Sequence, residues 1–199
     1  MEVTAFVIGN IPPPPARVLE IGCGAGELAR ALAAARYDVT AVDPDAPEGP
    51  IFERTRFEEL PERGRFEAVI ASRSLHHIAD LGAAVDKIAR LLVPGGILVL
   101  DEFAWDRLDE PTAALLYDRS RRGDVDRWRD DWRDEHEGLH GYEAMRGELD
   151  RRFDERFLAW VPYLHRYEDT DITQVEEQIL IEAGRIRPIG FRYVGATSR

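Results

Sequence analysis

The 199-residue chain has one cysteine, Cys23, and one lysine, Lys87. A lone cysteine excludes an intramolecular disulfide framework and points to a reducing compartment, so a cytoplasmic location is expected. Positive charge rests almost wholly on arginine, and acidic residues still outnumber basic ones, 38 to 26, for a net charge of −12. Such a field repels the nucleic-acid backbone and an anionic membrane surface, so neither is an expected partner. No apolar run approaches the ~20 residues of a spanning helix. Met1 to Asn10 lack the basic-then-apolar order of a secretion signal, and none is expected. No internal repeat is visible. With 44% hydrophobic and 32% charged residues, the composition is that of one globular domain, 1–199.

Pro12 to Pro15 form a stiff lead-in that neither a helix interior nor a central strand accepts. After it, strand and helix patterns alternate. Strands are predicted at Arg17 to Ile21, Asp38 to Asp43, Ile51 to Arg54, Phe66 to Ala71 and Ile97 to Leu100. Helices are predicted at Glu27 to Ala35 and Leu81 to Leu92, the second stopped by Val93-Pro-Gly-Gly96. This order calls for a Rossmann-like, mostly parallel α/β sheet with helices on both faces. From Trp105 to Leu149 the pattern becomes charge-dense helix, read as a helical insertion after the fifth strand. Its mixed-sign run, Asp124 to Asp134, reads as a solvated face, with Trp128 and Trp132 four apart and packed inward. A strand within Phe153 to Leu164, a helix from Ile172 to Ala183 ended by Gly184, and a strand from Gly190 to Ala196 complete the chain.

The informative segment is Val18-Leu-Glu-Ile-Gly-Cys-Gly-Ala-Gly-Glu-Leu-Ala29, a strand, a glycine turn and a helix start. Gly22 permits the sharp turn, Gly24 lets a ligand approach the backbone, and Gly26 allows close packing of the new helix. A dinucleotide fingerprint read from Gly22 requires glycine at position 27, which is Glu27; this argues against an NAD-dependent oxidoreductase. Asp43 ends the next strand, where a carboxylate can accept the hydroxyls of an adenosine ribose.

These residues resemble the class I S-adenosylmethionine-dependent methyltransferases, from about Ala16 to Leu100. Glu20, Gly22, Gly24 and Gly26, with Cys23 among them, match that family's first motif, Asp43 its ribose acid and Pro44 a residue beside the adenine. Phe66 to Ile78 resembles its fourth-strand motif, and Ile88 to Gly96 its late helix-to-glycine turn. The resemblance implies S-adenosylmethionine as cofactor, its amino group near backbone carbonyls of Ala71 and Ser72, and a small-molecule methyl acceptor. Arg56 stands where many relatives have an aspartate for the adenine, so Phe57 and Glu58 are expected to replace that contact.

Candidates for a proton acceptor lie at the carboxyl edge of the sheet or in the insertion: His77, His76, Glu102 and His140. Each histidine equally fits a loop hydrogen bond, and Glu102 a solvated site. Substrate candidates are Trp132, His136, Tyr142 and Tyr163. His136-Glu-Gly-Leu-His140 matches a zinc-hydrolase signature, but Gly138 weakens the helix that motif needs and no third ligand follows, so no metal is expected. The insertion from Trp105 to Leu149 is the expected lid. Two functions are weighed: methyl transfer to an oxygen, nitrogen or carbon nucleophile, and cofactor binding without catalysis.

Overall fold

The computed structural model describes residues 2–120, 125–167 and 170–198, without the side chains of 119–120 and 125–129. Seven helices and seven strands follow in the order α1 (Val3–Ile8), β1 (Arg17–Ile21), α2 (Glu27–Ala34), β2 (Asp38–Asp43), β3 (Phe52–Arg54), β4 (Phe66–Ser72), α3 (Leu81–Leu91), β5 (Leu92–Phe103), α4 (Glu110–Ser120), α5 (Val125–His136), α6 (Tyr142–Asp150), β6 (Asp154–Val161), α7 (Gln174–Glu182) and β7 (Gly190–Ala196) among the described residues. The strands form one sheet in the order β3-β2-β1-β4-β5-β7-β6. The pairings from β3 to β5 are parallel, and β7 runs antiparallel to both its neighbours.

Alternation along the central strands explains the layering. Leu19, Ile21, Val69, Ala71, Leu98 and Leu100 face a core completed by α3 and α6. Val18, Ala68, Ile70 and Val99 face the opposite side, against Phe6 and Val7 of α1 and Ala29 and Leu32 of α2. A sheet buried on both faces reads as a continuous apolar run in sequence, as these strands do. Asp80 caps α3, its Oδ1 accepting from the Ala83 N–H at 2.9 Å, and Thr173 caps α7 likewise through Glu176 at 3.1 Å.

Two expectations are amended, and that of a single closing strand is met. The Val93 to Gly96 turn does not separate helix from strand: β5 pairs with β4 from Leu92 onward, and the irregularity appears as a register shift between Phe66 and Ala68. The end of the chain supplies one strand, β7, which inserts between β5 and β6. The insertion also divides. Met145 and Leu149 of α6 join the sheet's own core, whereas Ala113 and Leu116 of α4 and Trp132 of α5 share a third core with Phe103, Leu164, Ile172 and Ile189 at the carboxyl end of β5. Trp132 is buried; the side chain of Trp128 lies outside the described residues. Among the described residues, no helix is long and apolar enough to cross a membrane.

Candidate active site

The chain leaves β1 through three glycines with positive φ, Gly22 at 72°, Gly24 at 49° and Gly26 at 77°. A side chain at Gly22 would lie 2.4 Å from Ser74 Cβ, whereas at Gly24 nothing stands within 4 Å. Gly22 is therefore small because the β4 turn packs on it, and Gly24 because its outer side is open. A side chain at Gly26 would lie 2.5 Å from the ring of Phe52 on β3, so the close approach this glycine permits is to that ring. The Gly24 N–H donates to Asp43 Oδ2 at 3.0 Å, and Asp43 Oδ1 accepts from the Asp45 N–H at 2.8 Å. Backbone amides thus hold the carboxylate at the tip of β2 beside the glycine turn. Ser74 Oγ donates to the Ile21 carbonyl at 2.9 Å and ties that turn to the loop after β4.

Three cavities open along this edge. The first, about 490 Å³, lies against Glu20, Gly22, Cys23, Gly24 and Ser72, and is closed on one side by Val3 and Thr4 of α1. Glu20 is its unusual wall. One carboxylate oxygen is buried without a hydrogen-bond partner. Burial, with the Asp43 charge adding to it, pushes the carboxyl up to about 8. A cation in this cavity would offset both costs, which suits a ligand carrying ammonium and sulfonium groups. Burial pushes the Cys23 thiol up to about 12, so it stays protonated and is no nucleophile near neutral pH.

The second cavity, about 300 Å³, is lined by Asp43, Pro44, Arg56, Phe57 and Glu58, with His77 and Ile78 opposite. The only lysine shapes it: buried Lys87 Nζ donates to the carbonyls of Phe57 at 2.7 Å, Glu58 at 3.0 Å and Leu60 at 2.6 Å. An ammonium with three donors suits this task, and it pins the loop that sequence reading assigned to the adenine. Ala71 sits inside β4, paired with Ile21 and Leu100, one residue behind the cavity wall at Ser72.

The third cavity, about 280 Å³, is lined by His76, His77, Phe103, His136, Tyr163 and Tyr167, together with Arg73 and Arg166. Buried Glu102 holds His76, with Oε2 2.6 Å from Nδ1, while its Oε1 accepts from the Ser74 and Leu75 N–H groups at 2.8 and 2.7 Å. A carboxylate only accepts, so Nδ1 carries the proton and Nε2 is left as the basic nitrogen. Glu102 is thus buried and engaged by the turn rather than solvated. Burial, with neighbouring His76 adding to it, lowers the His77 pKa.

Two candidates fall outside this cavity, and a third supports it from behind. His140 straps two loops together, its N–H donating to the His76 carbonyl at 3.0 Å and its Nε2 to the Ile78 carbonyl at 2.8 Å. Tyr142 packs its ring against Trp160 and Phe191, 4.7 and 5.1 Å away, in the sheet's core. Trp132 stands behind the cavity, 4.2 Å from the His136 ring. The zinc-like spacing dissolves because α5 ends at His136 and Gly138 has φ 87°, so the two imidazoles do not share a helix face. His136 Nδ1 donates to the Trp132 carbonyl at 2.6 Å. Among the described residues, no three His, Cys, Asp or Glu side chains cluster to hold a metal ion. Sequence reading missed Arg73, Phe103, Arg166 and Tyr167. The adjacency of Arg73 and Phe103 to the predicted strand ends was the available signal.

The family described as a methyltransferase domain matches residues 3–161. An uncharacterised methyltransferase of Mycobacterium tuberculosis is 40% identical over 115 residues, 50% of this chain and 56% of that protein. A ubiquinone biosynthesis O-methyltransferase of Bradyrhizobium is 34% identical over 97 residues, 42% of this chain and 38% of that protein. The chain thus spans about half, or less, of the length of these curated relatives. Among solved structures, the N-methyltransferase NodS of Bradyrhizobium japonicum, in complex with S-adenosyl-L-homocysteine, superposes with a TM-score of 0.56 at 15% identity, covering 98% of this chain and 83% of that one. That likeness concerns the fold; the domain match, spanning most of the sheet and its glycine turn, establishes that the chain belongs to the class I S-adenosylmethionine-dependent methyltransferases.

Proposed function

We propose that the chain transfers a methyl group from S-adenosylmethionine to an oxygen, nitrogen or carbon atom of a small molecule, in a cytoplasmic setting. The observation that carries this reading is the confluence of the three cavities at one residue, Arg73, which lines them all. The cavity at Glu20 and Gly24 suits the methionine part of the cofactor, and the one at Asp43, Phe57 and Glu58 its nucleoside. The third then lies where an acceptor meets the methyl group.

When bound, the cofactor supplies a methyl group already activated by positive sulfur, so the protein has chiefly to align the acceptor and exclude water. His136 and Leu139, from the segment after α4, close one side of the acceptor cavity, and Tyr163 and Tyr167 the other. This supports a lid role for α5 and its following loop, while α6 belongs to the body. Where the acceptor presents a hydroxyl or amine, His76 Nε2 takes the proton, with Glu102 fixing the ring and sharing the charge that forms. At about 280 Å³ the cavity is at the small end of metabolite sites. The test is incubation with methyl-labelled cofactor and a low-mass metabolite extract. Label in a small-molecule product supports the proposal; label confined to protein or nucleic acid, or none, refutes it.

A further inference from the structure

Arg73 carries an observation that the reaction above does not absorb. It follows β4 directly and has φ 55°, a left-handed conformation that L-residues rarely adopt. Its N–H donates to the Asp101 carbonyl at 2.9 Å, which fixes the residue at the sheet's edge. Backbone outliers of this kind concentrate at functional sites, where the surroundings hold them in place. Among the described residues, its guanidinium has no carboxylate partner.

Glu20 and Asp43 line the two cofactor cavities together with Arg73, and among the described residues neither is paired with it. Buried Asp101 is bracketed by Arg166 at 3.0 Å and Arg192 at 2.8 Å, so two guanidiniums already face one carboxylate. Arg166 lies over the Tyr163 ring at 5.0 Å and lines the first and third cavities, so a cation already serves the glycine turn without Arg73. In the acceptor cavity two of the three histidines are engaged. His76 is held by Glu102, and His136 by the Trp132 carbonyl, with Tyr167 Oη 3.4 Å from its other nitrogen. Glu135 is exposed. The other walls are the rings of Phe103, Tyr163 and Tyr167.

We infer that the methyl acceptor is a small acid, its single negative charge held by Arg73 at the junction of the cavities and its apolar body among the rings of Phe103, Tyr163 and Tyr167. The inference rests on the methyl-transfer reading above. A guanidinium without a carboxylate partner, in a cleft walled in part by aromatic rings, favours an anion and disfavours a neutral isostere, because only the anion forms charge-assisted hydrogen bonds there. In a protein of net charge −12, such a local site also discriminates against cations drawn to the rest of the surface.

The test uses the full chain saturated with S-adenosylhomocysteine and titrates benzoate against benzamide, its uncharged isostere. Benzoate should bind at least about tenfold tighter. Arg73→Gln should remove that preference, and Arg73→Lys should keep part of it, with melting temperature little changed in both and S-adenosylhomocysteine kept saturating for each variant. Equal binding of the two probes, binding of neither, or a preference that survives Arg73→Gln overturns the proposal. Arg73→Gln that loses S-adenosylhomocysteine but keeps methylthioadenosine also overturns it, by assigning Arg73 to the cofactor's carboxylate. Failure of the unaltered chain to bind S-adenosylhomocysteine at all is a different result: it removes the methyl-transfer reading, and the acceptor inference falls with it.

Discussion

Two short 3₁₀ turns frame the acceptor cavity, Leu75–His77 and Leu164–Arg166, and both are built around a buried glutamate. Glu102 accepts from the Ser74 and Leu75 N–H groups through one oxygen and from His76 Nδ1 through the other. Glu177 accepts from the Tyr163 and Leu164 N–H groups at 2.6 and 2.9 Å through one oxygen, and from the His165 N–H and Nδ1 at 3.0 and 2.8 Å through the other. The device is the same; its anchorage and product differ. Glu102 stands on β5 in the middle of the sheet, and its histidine lines the cavity. Glu177 stands on α7, an outer helix whose Val175 and Ile179 are exposed, and its histidine does not line the cavity. There the flanking residues Tyr163, Arg166 and Tyr167 are what the turn presents. A carboxylate that collects a run of N–H groups thus serves to fix a loop, and whichever side chain the loop then aims inward does the work.

The comparison can be broken at either glutamate, and the sheet-anchored one should matter most. Glu102→Ala leaves a buried histidine and two buried N–H groups without their acceptor, and should cost about 3–5 kcal/mol of stability in denaturant titration. It should also abolish methyl transfer. A loss no larger than that of an ordinary surface change would show that the turn holds without its carboxylate. Glu177→Ala removes three backbone contacts, but from a turn at the edge of the molecule, so about 1–3 kcal/mol is expected. S-adenosylhomocysteine affinity should stay within about threefold, since the Glu177 turn contributes only Arg166 to the first cavity and nothing to the second. A large loss would mean that the two turns act as one unit through the Phe103–Tyr163 stack, whose ring centroids are 4.4 Å apart. His165→Ala should be the mildest, under about 1 kcal/mol, because Glu177 keeps its three backbone donors. Full loss of activity in that variant would give His165 a part in catalysis that its position does not suggest.

The same contrast explains what was legible in the sequence. The cofactor side is local: a strand, three glycines and a carboxylate at the next strand's end lie within Val18 to Asp43, and each constraint is carried by neighbours in the chain. The acceptor side is assembled from Arg73, Phe103, His136, Tyr163 and Tyr167, brought together by the crossing of β4, β5 and the tail, and no spacing rule links them. Glu102 was visible as an acid after a strand, yet its role depended on amides 27 and 28 residues away in sequence. Tyr142 misled because it is an aromatic of the insertion that was read as a lid; in the fold its N–H donates to Asp106 Oδ1 at 2.9 Å and its ring turns into the core. Helix α1 is only six residues long and apolar at nearly every position, too short and too uniform to declare a face, although Phe6 and Val7 are the ones buried. Lys87 was conspicuous as the lone lysine, but only the fold shows the three carbonyls that converge on it.

Calorimetric titration of the full chain with S-adenosylhomocysteine and with NAD, repeated on Asp43→Ala, tests the central claim most directly. S-adenosylhomocysteine should bind far more tightly than NAD. Asp43→Ala should weaken it at least about tenfold, or about 1.5–3 kcal/mol, through lost charge-assisted hydrogen bonds to the ribose, with circular dichroism unchanged. Preferred or equal binding of NAD would contradict the account at its root, and unchanged affinity in folded Asp43→Ala would remove the carboxylate from the cofactor site.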